Sequence, residues 1–323
     1  MEKQAVLVAG CGSIGLRHLR TFVREGGYEL MAYDVRESAF DAVREIDPAI
    51  RCGTDLDGLL AAKPALAVVA VPNAFHEPVA RAAFAHGVPV LSEKPLADTM
   101  DAGRRMVEAA EKAGLVLAVG YSERYRKSFE FIEETVRAGR LGTLVGGRAM
   151  VGTYNTLLCA KDDFRSRTFG AILVDYTHEF DMLHAVFGEC AHVVARCNSL
   201  GSKELGSDPS LVAMLAEYRS GAVVSVHFDY IQHPQRRLME IYGDRGVVEF
   251  DLQSDVVKIF DCDKPEPEVY PFDNDRDARF VREHQDVLRA VAGGGRPRVT
   301  GADALASLAV AEECRRQLEK RER

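Results

Sequence analysis

The sequence predicts two domains: an α/β domain with a doubly wound parallel sheet, followed by an α+β domain with a mainly antiparallel open sheet. The chain has 323 residues, which is more than one hydrophobic core usually organises. From residue 5 onward, short apolar runs alternate with longer segments of helical period, as in βαβ units with buried parallel strands. Beyond residue 190, short alternating strands follow one another through tight turns, which is typical of an antiparallel sheet.

Five strands and four helices are predicted in the first domain. The strands lie at residues 5–9, 30–34, 66–71, 88–92 and 116–120. The helices lie at residues 14–25, 39–45, 75–86 and 98–113. Right-handed crossovers place such helices on both faces of the sheet, so a ligand crevice is expected at the carboxyl ends of the strands.

The second domain is predicted to contain six strands and two long helices at the end of the chain. The strands lie at residues 191–197, 211–218, 222–230, 237–242, 247–251 and 256–260. The helices lie at residues 275–292 and 302–319, separated by a glycine-rich turn. The boundary is predicted between residues 122 and 123, which gives domains of residues 1–122 and 123–323.

Composition limits the classes of partner. The formal charge is −8 and no long basic run occurs, so no nucleic-acid partner is expected. No apolar stretch reaches the roughly 20 residues that cross a bilayer, and the first strand begins too early for a signal peptide. The seven cysteines are scattered without paired spacing, which predicts reduced thiols in the cytoplasm and no metal site.

A glycine-rich turn, Gly10-Cys11-Gly12-Ser13-Ile14-Gly15, joins the first predicted strand to the first helix. Gly10 permits a tight turn, Gly12 lets the backbone approach a pyrophosphate, and Gly15 lets the helix pack closely on the strand. The helix N-terminus, with Ser13 and Ile14, offers unpaired N–H groups to the phosphates. The turn therefore predicts a Rossmann domain that binds a dinucleotide.

An acidic residue at the end of the second strand favours NAD as the dinucleotide. Asp34 lies 19 positions after Gly15, a spacing that suits a carboxylate accepting hydrogen bonds from ribose hydroxyls. The same carboxylate would repel the 2′-phosphate of NADP. Arg36 could neutralise that phosphate, so NADP remains possible.

Two further motifs follow strand ends, Val71-Pro72-Asn73 with His76, and Glu93-Lys94-Pro95. With the segment from Gly120 to Arg124, they resemble the Gfo/Idh/MocA family of glucose-fructose oxidoreductase and inositol dehydrogenase. The resemblance covers nearly the whole chain. It implies that these residues contact the cofactor: Val71, Pro72, Asn73, His76, Glu93 and Lys94.

The position of Lys94 also has a chemical interpretation that does not depend on the family. Pro95 disfavours helical geometry at Lys94 and keeps it extended, aimed from the strand end into the crevice. A cation there can hydrogen-bond a substrate hydroxyl and favour its alkoxide character as hydride leaves. The structural alternative is an exposed lysine before a turn-forming proline.

The segment His178-Glu179-Phe180-Asp181 opens a predicted helix in the second domain, with His178 and Asp181 on one face. The resemblance implies that His178 is the catalytic proton acceptor, Asp175 its partner and Lys94 the third member. Only two residues separate Asp175 from His178, where many relatives have three. The alternative role for His178 is to brace the helix, and Asp181 is expected to be structural.

The predicted function is reversible hydride transfer between NAD and a secondary alcohol of a sugar, a nucleotide sugar or a cyclitol. Besides Lys94, His178 and Asp175, the substrate is expected to contact Arg124, Tyr154 and Arg165. Two alternatives stay open: reduction of another substrate such as a dihydrodiol or an imine, and a regulatory protein that binds NAD without turnover. The resemblance also implies a homodimer or homotetramer.

Overall fold

The structure is a computed structural model that describes residues 3–154, 169–199 and 208–320. The chain groups into two compact units. The first unit comprises Met1–Tyr125 and Asp275–Leu308, and the second comprises Arg126–Asn274 and Ala309–Arg323. Residues 275–308, placed in the second domain from the sequence, therefore pack within the first unit. The domain boundary at residues 122 and 123 stays a prediction.

A six-stranded sheet forms the centre of the first unit. Its strands are β1 (Gln4–Ala9), β2 (Tyr28–Tyr33), β3 (Arg51–Gly53), β4 (Leu66–Val69), β5 (Val90–Glu93) and β6 (Leu117–Gly120). The strand order is β3-β2-β1-β4-β5-β6, and all neighbouring pairs are parallel. The predicted doubly wound parallel sheet is confirmed. The short edge strand β3 was not predicted.

An eight-stranded sheet forms the centre of the second unit. Its strands are β7 (Leu144–Gly152), β8 (Cys190–Asn198), β9 (Leu211–Tyr218), β10 (Val223–Asp229), β11 (Arg236–Gly243), β12 (Gly246–Asp251), β13 (Val256–Asp261) and β14 (Glu268–Pro271). The order is β14-β13-β12-β11-β7-β10-β9-β8. Only β7 and β10 pair in parallel, so the predicted mainly antiparallel sheet is confirmed.

The helices of the described residues lie between and after these strands. They are α1 (Ser13–Glu25), α2 (Phe40–Arg44), α3 (Leu56–Leu60), α4 (His76–Ala85), α5 (Met100–Ala113), α6 (Lys127–Arg137), α7 (Ala171–Asp175), α8 (Thr177–Phe187), α9 (Arg276–Val291) and α10 (Gly301–Glu319). Short 3₁₀ segments lie at Glu37–Ala39, Asn73–Phe75 and Ser122–Tyr125. None of the helices described is both long and apolar enough to cross a membrane.

Burial on both faces explains why the strands of the first sheet are almost continuously apolar. In β1, Leu7 packs into one hydrophobic core, whereas Val6 and Val8 pack into the core on the opposite face. In β4 all four residues are buried. Because β1, β4, β5 and β6 are adjacent and parallel, the residues that follow them meet at one edge of the sheet.

Candidate active site

Close backbone packing explains two glycines of the turn after β1. Gly10 has φ +100°, and a Cβ there would lie 2.4 Å from the carbonyl oxygen of Ala70. A Cβ on Gly15 would lie 1.8 Å from the carbonyl oxygen of Gly10. By contrast, a Cβ on Gly12 would meet no atom within 4 Å. Gly10 and Gly15 are therefore required by the fold, whereas Gly12 leaves open space at the surface.

The open space beside Gly12 lies at the N-terminus of α1. This helix begins at Ser13, has no side-chain cap and has no acidic residue in its first turn. The first N–H groups of a helix lack partners within it and carry a partial positive charge. Ser13 is exposed and Ile14 is half-buried, so this end of the helix is accessible to a phosphate group.

The carboxylate of Asp34 is fixed against the glycine turn. Oδ2 accepts a hydrogen bond from the backbone N–H of Cys11 at 3.0 Å. Oδ1 accepts from the backbone N–H of Arg36 at 3.0 Å and from its Nε at 3.3 Å. Burial opposes ionisation, but these bonds and the Arg36 charge outweigh it and lower the pKa of Asp34. Asp34 is therefore an oriented carboxylate beside the turn, with Arg36 exposed next to it.

His76 joins the ends of two neighbouring strands. Its Nε2 lies 2.9 Å from the carbonyl oxygen of Val71, and its Nδ1 lies 3.0 Å from the carbonyl oxygen of Pro95. Burial lowers the pKa of His76, although both carbonyls and the Glu93 charge favour its protonated form. The imidazole is buried, whereas Pro72 is exposed and Asn73 half-buried at the same strand end. His76 therefore fixes the two loops in place.

The Glu93-Lys94-Pro95 motif follows β5 at this edge, and the peptide bond between Lys94 and Pro95 is cis. Oε2 of Glu93 accepts a hydrogen bond from the backbone N–H of Lys94 at 3.1 Å. A Cβ on Gly120 would lie 3.1 Å from Oε1 of Glu93, so the glycine at the end of β6 makes room for this carboxylate. Arg124 follows in the 3₁₀ segment after β6 and is 8% exposed.

In the second unit, Asp175 and His178 lie on two different helices. Asp175 ends α7, Tyr176 breaks the helical path with φ −105° and ψ 27°, and His178 lies in the first turn of α8. The shortened spacing noted in the sequence therefore coincides with a helix break. Tyr230, fully buried after β10, donates a hydrogen bond to Oδ2 of Asp175 at 2.5 Å. Both Asp175 and His178 are half-buried.

The residues after His178 are more deeply buried than His178 itself. Glu179 is 2% exposed and accepts a hydrogen bond from Nε of Arg237 at 2.6 Å. Asp181 is 0% exposed, which agrees with the structural role expected for it. Tyr154 is 38% exposed after β7. Arg165 lies outside the described residues.

Three side chains that contact the candidate site residues of their own unit were not predicted from the sequence: His18 and His284 in the first unit and Tyr230 in the second. His18, on α1, contacts Glu93 with its Nε2 at 3.0 Å, and its Nδ1 contacts His284 at 2.8 Å. Tyr230 orients Asp175 from a distance of 55 residues along the chain. The sequence could have indicated that His18 is buried, because it shares one face of α1 with Gly15, Leu19 and Phe22. Its partner His284 is 266 residues away, and no local pattern connects the two.

The fold and the strand-end residues together define a dinucleotide-binding α/β protein with a second, mainly antiparallel unit. Comparison with known proteins identifies the family. Residues 5–121 match the Gfo/Idh/MocA oxidoreductase family's NAD-binding Rossmann fold, and residues 134–323 match its C-terminal alpha/beta domain. The chain belongs to the Gfo/Idh/MocA oxidoreductase family. The predicted family, the predicted fold class and the NAD-binding Rossmann domain are confirmed.

Individual relatives in this family have varied names. The chain is 30% identical to an inositol 2-dehydrogenase of Burkholderia multivorans over 253 residues, which is 74% of this chain and 72% of the relative. A solved levoglucosan dehydrogenase in complex with NADH and levoglucosan has a TM-score of 0.87 at 18% identity, covering 98% of both chains. UDP-N-acetylglucosamine 3-dehydrogenase of Acidithiobacillus ferrooxidans has a TM-score of 0.84 at 20% identity, covering 99% of both chains. These two structures share the fold.

Proposed function

We propose that this chain catalyses reversible hydride transfer between NAD and a secondary alcohol of a sugar, a nucleotide sugar or a cyclitol. The observation that carries the proposal is the shared sheet edge. Lys94 follows β5 at the edge where the glycine turn follows β1, with only β4 between them. The names of the relatives, inositol 2-dehydrogenase and levoglucosan dehydrogenase among them, support this substrate class.

In this proposal residues 1–122 bind the cofactor, and residues 123–323 bind the substrate and form the oligomer. The open space at Gly12 and the uncapped start of α1 fit a pyrophosphate. Asp34 accepts hydrogen bonds from the ribose hydroxyls and favours NAD, while NADP stays possible through Arg36. The proposed cofactor contacts are Gly10, Gly12, Ser13, Ile14, Gly15, Asp34, Arg36, Val71, Pro72, Asn73, His76, Glu93 and Lys94.

Bound NAD supplies the hydride acceptor, and the side chains manage the proton and the orientation of the substrate. Lys94 donates a hydrogen bond to the reacting hydroxyl and favours its alkoxide character. His178 accepts the hydroxyl proton, because an imidazole titrates near neutral pH. Asp175, held by Tyr230, positions the substrate and the imidazole. The further substrate contacts proposed are Arg124, Tyr154 and Arg165.

Purified protein tests the proposal. It is incubated with NAD and a panel of inositols, pentoses, anhydro sugars and UDP-sugars, and the absorbance of reduced nicotinamide is followed. We expect turnover with at least one member of the panel. Tight NAD binding without turnover across the panel would favour a regulatory protein. Turnover confined to added dihydrodiol or imine substrates would favour a reductase that acts on those compounds.

Self-association as a homodimer or homotetramer is part of the proposal, as is a cytoplasmic location. The outer face of the eight-stranded sheet exposes apolar side chains on adjacent strands. Leu215 is 47% exposed and pairs with Val194, which is 39% exposed. A second copy of the chain covering this face would remove both from water. Light scattering tests this: Leu215→Lys is expected to lower the molar mass of the particle, and an unchanged mass would contradict the assignment.

A further inference from the structure

Four side chains of the first unit form a continuous hydrogen-bonded chain. Nδ1 of His284 lies 3.2 Å from Oε2 of Glu25, and Nε2 of His284 lies 2.8 Å from Nδ1 of His18. Nε2 of His18 lies 3.0 Å from Oε1 of Glu93. The other oxygen of Glu93 accepts from the backbone N–H of Lys94. This series of hydrogen bonds therefore runs from Glu25, the last residue of α1, to Glu93 at the end of β5, next to Lys94.

Aromatic packing holds the two imidazoles in this arrangement. The side chains of His18 and His284 are both 0% exposed. Phe22 stacks on His284 with ring centroids 3.8 Å apart and planes 3° apart. Phe280 packs edge-on against His18 at 5.1 Å. Each ring packs against a phenylalanine and is closed off from solvent, so the distances between their nitrogens are set by the core.

A count of protons shows what these contacts require. Three hydrogen bonds join four titratable groups, and each bond needs one proton. Two carboxylates and two neutral imidazoles supply only two protons, which would leave His18 and His284 with lone pairs facing each other at 2.8 Å. A third proton completes the chain. With that proton on Glu25, both imidazoles donate towards Glu93. With it on Glu93, both donate towards Glu25. With it on one imidazole, that ring donates in both directions and both carboxylates are ionised.

We propose that Glu25, His284, His18 and Glu93 form a proton relay between the surface end of α1 and the strand end at Lys94. The proton of Glu25 moves to Nδ1 of His284, the proton on its Nε2 moves to Nδ1 of His18, and the proton on Nε2 of His18 moves to Glu93. Glu25 loses one proton, Glu93 gains one, and both imidazoles change tautomer. The reverse sequence carries a proton outward.

The electrostatics of the chain keep the third proton away from Glu93 and His284. Burial raises the pKa of Glu25. Burial, and then the neighbouring His18, lower the pKa of His284 well below its ordinary value. Burial opposes ionisation of Glu93, but the His18 hydrogen bond and the charges of His18 and Lys94 hold the pKa of Glu93 below its usual range. Glu93 therefore favours its ionised form, whereas Glu25 takes up a proton more readily than an ordinary glutamate.

A buried acid next to the relay limits the negative charge around Glu93. Glu283 is 0% exposed, and within the described part of the chain neither of its carboxyl oxygens has a hydrogen-bond partner. Burial raises the pKa of Glu283 well above its ordinary value, and the charges of Glu93 and Asp286 raise it further. Other charged or titratable groups interact with a relay member or with Glu283: Tyr28 with Glu25, Lys94 and Arg276 with Glu93, and Tyr125 and Asp286 with Glu283.

The relay affects Lys94 because the charges of the Glu93 carboxylate and the Lys94 ammonium act on each other. The Lys94 ammonium lowers the pKa of Glu93, so an ionised Glu93 stabilises that ammonium in return. Uptake of a proton by Glu93 removes this support. His18 and His284 are thus positioning residues that act through Glu93. This consequence for Lys94 depends on the proposed dehydrogenase function, whereas the shared proton itself does not.

The first test detects the shared proton without any turnover. In the full chain carrying ¹⁵N-labelled histidine, nuclear magnetic resonance should show scalar coupling between Nδ1 of His18 and Nε2 of His284 across one hydrogen bond. His284→Gln should abolish the coupling, and His86→Gln, a control just after the end of α4, should retain it. Two neutral imidazoles with no coupling in the unaltered protein would overturn the relay, whatever the enzyme's activity.

The second test asks whether the relay serves turnover. Glu25→Gln keeps a polar group near His284 but cannot donate a carboxyl proton, and its place at the end of α1 makes it the mildest change to the core. We expect kcat to fall about tenfold with a changed pH profile and an unchanged KM for NAD. Glu29→Gln, an exposed control with the same change of charge, should leave all three unchanged. An unaltered kcat and pH profile in Glu25→Gln, in an enzyme that turns over, would overturn the relay.

Discussion

The candidate residues of the two units are brought together in different ways. In the first unit, the glycine turn, Lys94 and the loops beside them follow adjacent parallel strands, so sheet topology alone places them at one edge. In the second unit, Asp175 and His178 are close in sequence but lie on two helices separated by a break at Tyr176. The first arrangement depends on strand order, and the second depends on tertiary contacts such as the one from Tyr230.

Because of this difference, substitutions in the two units should separate effects on the proton step from effects on cofactor binding. Apart from Lys94, residues at the sheet edge of the first unit surround the features that fit a dinucleotide, so changes there should affect cofactor affinity or folding. Residues on α8 should affect the proton step and leave the Rossmann domain intact.

The largest effect is expected for His178→Ala in the second unit. Removal of the proton acceptor should lower turnover by about 10²-fold or more, because general base catalysis typically contributes that much. NAD affinity should stay nearly unchanged, because the glycine turn lies in the other unit. Steady-state kinetics with any active substrate, together with calorimetric titration of NAD, measure both quantities.

A second histidine on the same helix provides the control. His184→Gln alters a half-buried imidazole whose Nδ1 contacts the carbonyl oxygen of Gly188 near the end of α8. It should keep most of the turnover. Full turnover in His178→Ala would remove His178 from its proposed role, and an equal loss in both variants would point to damage of the helix.

The next largest effect is a loss of stability in Gly15→Ala, for which Gly12→Ala in the same turn is the control. Gly15→Ala places a methyl group 1.8 Å from the carbonyl oxygen of Gly10, so α1 must move away from β1. We expect a loss of about 1–3 kcal/mol in the free energy of unfolding, as for other overpacked sites. Gly12→Ala meets no neighbour and has an extended backbone at φ −75°, so its stability should be unchanged or slightly higher.

The effect of a glycine substitution on NAD affinity should not follow its effect on stability. Gly12→Ala fills space proposed for the pyrophosphate, so NAD affinity should fall even though the fold is intact. Denaturant unfolding without cofactor and calorimetric titration of NAD on the folded variant supply the two measurements. An unstable Gly12→Ala protein, or one that binds NAD normally, would contradict the assignment of this glycine to the ligand.

The parts of the fold that were predicted from sequence are those fixed by local patterns. Apolar strands followed by amphipathic helices gave the parallel sheet, and the glycine turn gave the Rossmann domain. Strand β7 was missed because Gly146 and Gly147 interrupt its alternation. Both glycines are needed there, since a Cβ would lie 2.4 Å from the Val223 carbonyl oxygen and 2.5 Å from the Glu240 carbonyl oxygen.

Side chains that act through distant partners could not be predicted in the same way. Glu93 was singled out by its motif, but its contact with His18 depends on how α1 packs on the sheet. The contact between His18 and His284 depends on residues 275–308 packing within the first unit, which the sequence placed in the second domain. Strand ends are determined by topology, whereas the side chains that support them are determined by packing across the whole chain.

The smallest effect concerns the choice between NAD and NADP. Asp34→Ala removes the carboxylate proposed to bind the ribose hydroxyls, and a hydrogen bond to a charged group contributes about 1.5–3 kcal/mol. NAD affinity should therefore fall about tenfold or more, while NADP affinity should fall less, because the repulsion of its 2′-phosphate is lost too.

Asp34→Asn is the matched variant, since its amide oxygen can still accept from the Cys11 N–H. Hydrogen bonds from Cys11 and Arg36 outweigh burial and lower the pKa of Asp34, so it is ionised at neutral pH and the preference of the unaltered protein should stay constant down to about pH 5. Fluorescence titration of NADH and NADPH measures these affinities, and equal losses for both dinucleotides would exclude Asp34 from ribose binding.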